Sequence, residues 1–280
     1  MATPGDLDAN LSTACDAAIE LGRAGADLIV IPELWSCGYE PSSLVDDAAS
    51  TAQRLDGPMV ETLGAAARGA GAWFAAGSVA ELANGQVYNT GLLFDPTGSL
   101  AAAYRKAHLY RAAGEHLAFA AGDAITTCAT EEFGELGLTV CFDGDFSEVA
   151  RSLRLAGAGV VVQVSAYERE AESWWDLLYP AHALANGQWW LMANQCGSNA
   201  SVTLLGGSQV ISPAGEVVAR ASKVHEVRDR SVPELLLVEV QLSEALRQAE
   251  ADQSALWLSR QPDLPVRRVT PVPLMKGNQR

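Results

Sequence analysis

Three apolar, strand-like segments of this 280-residue chain each end on a chemically active side chain, and no other feature constrains its fold as tightly. One reads Ala26-Asp27-Leu28-Ile29-Val30-Ile31-Pro32-Glu33-Leu34-Trp35, a strand at 28–31 that exits through proline onto the carboxylate of Glu33. A second strand, at 100–104, delivers Lys106 within Tyr104-Arg105-Lys106-Ala107-His108-Leu109-Tyr110. In the third, Leu138-Thr139-Val140 ends on Cys141, and Phe146, Val149, Ala150, Leu153 and Ala156 follow at helical spacing. A thiol on the bend between strand and helix lies near the positive end of that helix, a field expected to favour the nucleophilic thiolate. A cysteine here could equally be a core residue, so the thiol needs partners. Glu33 and Lys106 are the candidates.

The rest of the chain alternates strands and helices, with hairpins added. Residues 11–21 and 58–70 read as amphipathic helices, the second with proline in its first turn. Segments 73–79 and 87–94 flank Asn84-Gly85, the signal for a tight hairpin. Beyond Cys141, strands are expected at 160–164, 189–193, 207–211, 217–219 and 235–240. Helices are expected at 173–185 and 242–249. Phe94-Asp95-Pro96-Thr97-Gly98 and Ile211-Ser212-Pro213-Ala214-Gly215 echo each other, as two halves built alike would. The pattern argues for an α/β fold in which two mixed sheets pack face to face with helices outside. No linker interrupts it, so residues 1–280 read as one domain with an extended Pro- and Arg-containing tail at 261–280.

Composition narrows the partners. The formal charge of −15 repels phosphate, which disfavours nucleic acid and anionic membrane surfaces. No apolar run approaches the roughly 20 residues a membrane helix needs, and no signal peptide is evident, so a cytoplasmic location is expected. The 5 cysteines form no Cys-x-x-Cys pair, and the 4 histidines show no zinc spacing. Reduced thiols, no metal and no cofactor are expected.

Taken together, Pro-Glu-Leu-Trp at 32–35, Tyr-Arg-Lys-x-His-Leu at 104–109 and Cys-Phe-Asp-x-x-Phe-x-Glu at 141–148 resemble the nitrilase, or carbon–nitrogen hydrolase, superfamily from about Gly5 to Ser222. The resemblance implies a four-layer αββα sandwich, a Glu-Lys-Cys triad in this chain order, no cofactor, and a homodimer or higher homo-oligomer joined through helical faces. It makes Glu33 the general base and acid, Lys106 the oxyanion stabiliser and Cys141 the nucleophile. Glu115, in Glu115-His116-Leu117-Ala118-Phe119-x-x-Gly122, matches a stretch whose glutamate orients the lysine. The backbone N–H of Phe142 would share the oxyanion. Tyr167, after the strand that follows the cysteine helix, is the candidate for contacting a small-molecule amide substrate.

Cys-Phe-Asp looks more like the amidase and carbamoylase branches than the nitrilase branch. A small linear amide or N-carbamoyl substrate is therefore expected. A nitrilase and a non-catalytic scaffold are the alternatives. Asn194 either braces the site or ends a strand, and a papain-like pairing of Cys141 with His108 is the minor option. Three features depart from the family pattern. No apolar strand precedes residues 4–11, Ser147 stands where proline is usual, and 182–186 reads His-Ala-Leu-Ala-Asn without the usual arginine and glutamate.

Overall fold

The computed structural model describes residues 5–226, 234–242, 246–247, 251 and 259–261. Its first half runs α1 (Leu7–Arg23), β1 (Leu28–Val30), α2 (Leu44–Thr51), α3 (Pro58–Ala70), β2 (Trp73–Ala83), β3 (Gln86–Phe94), β4 (Leu100–Arg105) and α4 (Glu115–Ala118). The second continues with β5 (Thr126–Thr130), β6 (Gly134–Val140), α5 (Ser147–Leu155), β7 (Val160–Ser165), α6 (Glu172–Asn186) and β8 (Trp189–Asn194). Four short strands follow: β9 (Cys196–Ser198), β10 (Thr203–Leu205), β11 (Gln209–Ile211) and β12 (Val217–Arg220).

Local chemistry sets these boundaries. Asp6 caps α1 by accepting from the Ala9 N–H at 3.1 Å. Pro58 opens α3, and Gly71 closes it in the left-handed region. Asn84 and Gly85, both at positive φ, turn β2 into β3 as a two-residue hairpin.

Two mixed sheets result. One has the order β1-β2-β3-β4, and the other β12-β11-β8-β7-β6-β5 with β6, β7 and β8 parallel. β1, β2, β3 and β4 face β8, β7, β6 and β5 across the interior. Trp73, Leu93 and Tyr104 share a core with Val140, Val162 and Trp190. α1 and α3 cover the outer face of the first sheet, and α5 and α6 that of the second. This is the αββα sandwich expected. β7, Val-Val-Val-Gln-Val-Ser, is buried at every position, as a central parallel strand must be.

Topology brings the candidate residues together. β1 is parallel to β2, and β2-β3-β4 are antiparallel in turn, so β1 and β4 point the same way. Glu33 and Lys106 therefore leave their sheet at one end. Cys141 leaves the other sheet just past β6, and Ala166 and Gln195 follow the parallel neighbours β7 and β8. Sites gather at such carboxyl ends because the loops there converge.

Two expectations need correction or limitation. Residues 234–240 form no strand. They line an open groove of about 1280 Å³ beside β1 instead of pairing, with Leu237 exposed. Alternating apolar residues suit such a partly covered segment as well as a strand. Of the helix expected at 242–249, Leu242, Leu246 and Arg247 are helical and the rest lies outside the described residues, as does the tail beyond 261. Among the described residues β1 is a sheet edge.

One glycine fixes the carboxylate corner. Gly77 sits at φ 63° where the β2–β3 register shifts, and a Cβ there would lie 2.0 Å from the Pro32 carbonyl oxygen. Gly77→Ala is expected to destabilise the protein by about 3 kcal/mol or more and to displace Glu33, since strain and overlap add. Urea denaturation checks this; a loss below about 1 kcal/mol would show that the corner yields easily.

Candidate active site

Lys106 is the centre of a buried ionic triplet. Its ammonium donates to Glu33 Oε1 at 2.9 Å and to Glu115 Oε1 at 2.8 Å, and none of the three side chains touches solvent. Backbone bonds hold the lysine in place: its N–H donates to Asn89 O at 2.8 Å, and its carbonyl accepts from Gly122 N–H at 2.8 Å. Burial alone would pull the ammonium down, but Glu115 and Glu33 outweigh it and hold the group well above its ordinary value.

Glu33 is satisfied on both oxygens. Asn89 Nδ2 also donates to Oε1 at 2.8 Å, and the Ala166 N–H donates to Oε2 at 2.8 Å. Its backbone carbonyl accepts from Gln195 Nε2 at 2.7 Å. Glu115, at the start of α4, is fully buried rather than a charge on a helix surface. It accepts from the Tyr110 N–H at 2.8 Å and the Tyr39 hydroxyl at 3.3 Å. Burial raises its carboxyl, opposed by Lys106.

Cys141 opens a short 3-10 turn, Cys141–Asp145, with φ at 46°, a conformation disfavoured for any residue with a Cβ. Its carbonyl accepts from Gln163 Nε2 at 2.8 Å and from the Tyr179 hydroxyl at 3.4 Å, which pins the strained residue. The residue as a whole keeps 7% exposure. The expected helix field does not set its ionisation. The 3-10 turn intervenes, and α5 starts only at Ser147. Burial and Glu33 push the thiol well above its ordinary value, against the pull of Lys106 and the Ala166 N–H. Burial thus favours the neutral thiol at rest.

His108 pairs with Asp143, not with the thiol. The fully buried Asp143 accepts from the His108 N–H at 2.8 Å and bonds His108 Nδ1 at 2.9 Å. The imidazole stacks on Phe146, centroids 4.0 Å apart. This contact ties the lysine loop to the cysteine turn. Phe142 packs its ring on Tyr110 at 5.0 Å and on Phe146 at 5.1 Å. Tyr167 is buried, its hydroxyl donating to Asp145 at 3.1 Å. Asn194 is a brace: it accepts from the Tyr167 N–H at 2.7 Å and donates to Gly206 O at 2.9 Å.

Several residues of this network escape sequence reading. Asn89 and Gln163 are buried amides inside largely apolar strands, a pattern that flags a partner without naming it. Tyr179 reaches the cysteine turn from α6, a contact no local pattern carries. An open cleft of about 510 Å³ lies on the Glu168 side, walled by Pro41, Ala113, Glu168 and Val202; Cys141 is not among the residues that line it.

Comparison with known proteins places these features. The profile of the carbon-nitrogen hydrolase family matches residues 1–248. A 2-oxoglutaramate amidase of Paenarthrobacter nicotinovorans is 34% identical over 229 residues, covering 79% of this chain and 76% of its own. An omega-amidase of Xenopus tropicalis is 28% identical over 240 residues, covering 82% and 85%. Among solved structures, an amidase of Nesterenkonia sp. AN1 superposes with a TM-score of 0.75 at 29% identity, over 92% of this chain and 96% of that one. One variant of that amidase carries acrylamide added at its active-site cysteine.

Proposed function

We propose, for a chain that belongs to the carbon–nitrogen hydrolase family and is a hydrolase of carbon–nitrogen bonds other than peptide bonds, that Glu33, Lys106 and Cys141 cleave a small linear amide or N-carbamoyl compound through a thioester. The observation that carries this reading is the solvent-free ion triplet, with Lys106 at 2.9 Å from Glu33 and 2.8 Å from Glu115, built beside a strained cysteine. A triplet this costly to bury is rarely kept for stability alone.

The cycle follows from the placement of charges. Glu33 accepts the thiol proton as Cys141 sulfur attacks the amide carbon, so a thiol held neutral at rest becomes a nucleophile only at the reacting carbon. Negative charge moves onto the substrate oxygen, where Lys106 and the Phe142 N–H stabilise it. Protonated Glu33 gives its proton to the leaving nitrogen, and ammonia or an amine departs. Water then attacks the thioester as Glu33 takes its proton, and the acid leaves with the thiol restored. Glu115 keeps the ammonium charged and directed, and Tyr167 contacts the substrate. No step calls for a cofactor.

The setting proposed is a single-domain cytoplasmic homodimer or higher homo-oligomer. Trp174, Leu177 and Leu184, exposed along α6, support a helical contact face. Among the described residues no helix is long and apolar enough to cross a membrane.

A panel of primary amides, carbamoyl amino acids, carbamoyl amines and nitriles tests the activity. Ammonia and acid should appear from an amide or carbamoyl compound, with nitriles untouched. Conversion of a nitrile to its acid would make the protein a nitrilase. Silence across the panel would favour a non-catalytic scaffold.

A further inference from the structure

Asp145 closes the 3-10 turn that Cys141 opens. Its carboxylate accepts from the Tyr179 hydroxyl at 2.9 Å and from the Tyr167 hydroxyl at 3.1 Å on each oxygen. Both donors are buried phenols, while Asp145 itself is only half-buried. One side of the carboxylate is therefore covered, and acceptor positions remain on the other. The Tyr179 hydroxyl also lies 3.4 Å from the Cys141 carbonyl oxygen, so this acid is tied to the backbone of the nucleophile. Beyond Tyr167 follows Glu168, half-buried and lining the open cleft. Tyr110 joins these groups. Burial, and then the charges of Glu168, Cys141, Asp145 and Glu115, push its half-buried hydroxyl upward.

Asp145 and Glu168 have no direct ion-pair partner among the described residues, although the charge of Lys106 reaches Asp145. Lys106 is committed to Glu33 and Glu115. His108 is held by Asp143, Arg105 by Glu81, and the exposed Arg169 by Glu170. A carboxylate that is partly desolvated and has only phenols as donors repels a second carboxylate and gains from an ammonium. The substrate named for the Paenarthrobacter relative, 2-oxoglutaramate, carries a carboxylate at the end remote from its amide. The groups in hydrogen-bond contact with Asp145 offer nothing positive to receive it.

We propose that Asp145 is a specificity-determining residue, and that the amide cleaved here carries an ammonium rather than a carboxylate at its non-reacting end. The proposal rests on the amidase reading above.

Three primary amides of matched length test it: γ-aminobutyramide, butyramide and succinamate. Wild-type kcat/KM is expected to favour the ammonium compound over succinamate by about tenfold or more, mainly through KM. Asp145→Asn should reduce that ratio about tenfold, and Asp145→Glu should keep most of it. Burial, against the hydroxyls of Tyr179 and Tyr167 and the charge of Lys106, and with Asp143 adding to it, lifts the Asp145 carboxyl to about 6. The ratio should therefore climb between about pH 5 and pH 7.5 as the carboxyl ionises. Should Asp145→Asn fail to fold, Tyr167→Phe serves: removing a donor should move that climb to higher pH. Succinamate cleaved as well as the ammonium compound, or a ratio indifferent to Asp145→Asn and to pH, would overturn the proposal and leave the amidase reading standing. No cleavage of these three or of any amide or carbamoyl compound in the wider panel would instead overturn the amidase reading itself.

Discussion

Cys141→Ala should abolish amide cleavage, lowering kcat by about 10⁴-fold or more, because a lost nucleophile removes the covalent route. The other thiols cannot substitute. Cys37 is sealed in the core, pushed to about 12 by burial, and its sulfur faces the carbonyls of Leu34 and Gly38. Cys15, Cys128 and Cys196 lie on α1, β5 and β9, not on the turn that follows β6. The fold should survive. Alanine keeps the same backbone strain at φ 46° and leaves a small void, a change of about 1 kcal/mol. Loss of activity with an unchanged denaturation midpoint would assign the effect to chemistry. Residual turnover above about 1% of wild type would remove Cys141 from the mechanism.

Lys106→Met should cost both activity and stability. The substitution keeps most of the length of the side chain but leaves Glu33 and Glu115 facing an apolar group with no cation. Breaking a buried pair from one side typically costs about 3–5 kcal/mol. The sign of the pH dependence follows from Glu115. Burial and then Glu33 raise its carboxyl in the folded protein, and without Lys106 the Tyr110 N–H is left to oppose them. A carboxyl raised on folding contributes stability that is fully present at low pH and is lost as pH climbs through its folded value. The variant should therefore be least stable relative to wild type at about pH 8 and recover toward about pH 5. Denaturant midpoints across that range check it. A flat difference below about 1 kcal/mol would mean that the ammonium is not what neutralises these carboxylates.

The strand ends were the legible part of the site, because a reactive residue at the end of an apolar run leaves a local signature. Glu33, Lys106 and Cys141 each follow a strand, and the Ala166 N–H that meets Glu33 follows β7, the parallel neighbour of β6, so the two sheets turn these strand ends the same way. Glu115 was legible through its surrounding stretch, and its burial was not. The ionisation of Cys141 was misread because a strand-to-helix bend and a strand followed by a 3-10 turn have the same sequence pattern. Elements with weak apolar contrast also escaped notice. β5 is Thr-Thr-Cys-Ala-Thr, an edge strand readable as a loop. α2 turns only Leu44, Ala48 and Thr51 inward. The contacts of Asp143 with His108, and of Asp145 with Tyr167 and Tyr179, join segments up to 35 residues apart, beyond the reach of any local pattern.

The most direct measurement is the mass of the intact protein, acid-quenched during turnover of the best amide. A covalent acyl group should appear on Cys141, with the mass of substrate less ammonia, and ammonia should be released in a burst near one equivalent before the steady rate. Steady hydrolysis with no protein-bound acyl group, or an acyl group carried by any residue but Cys141, would contradict the account.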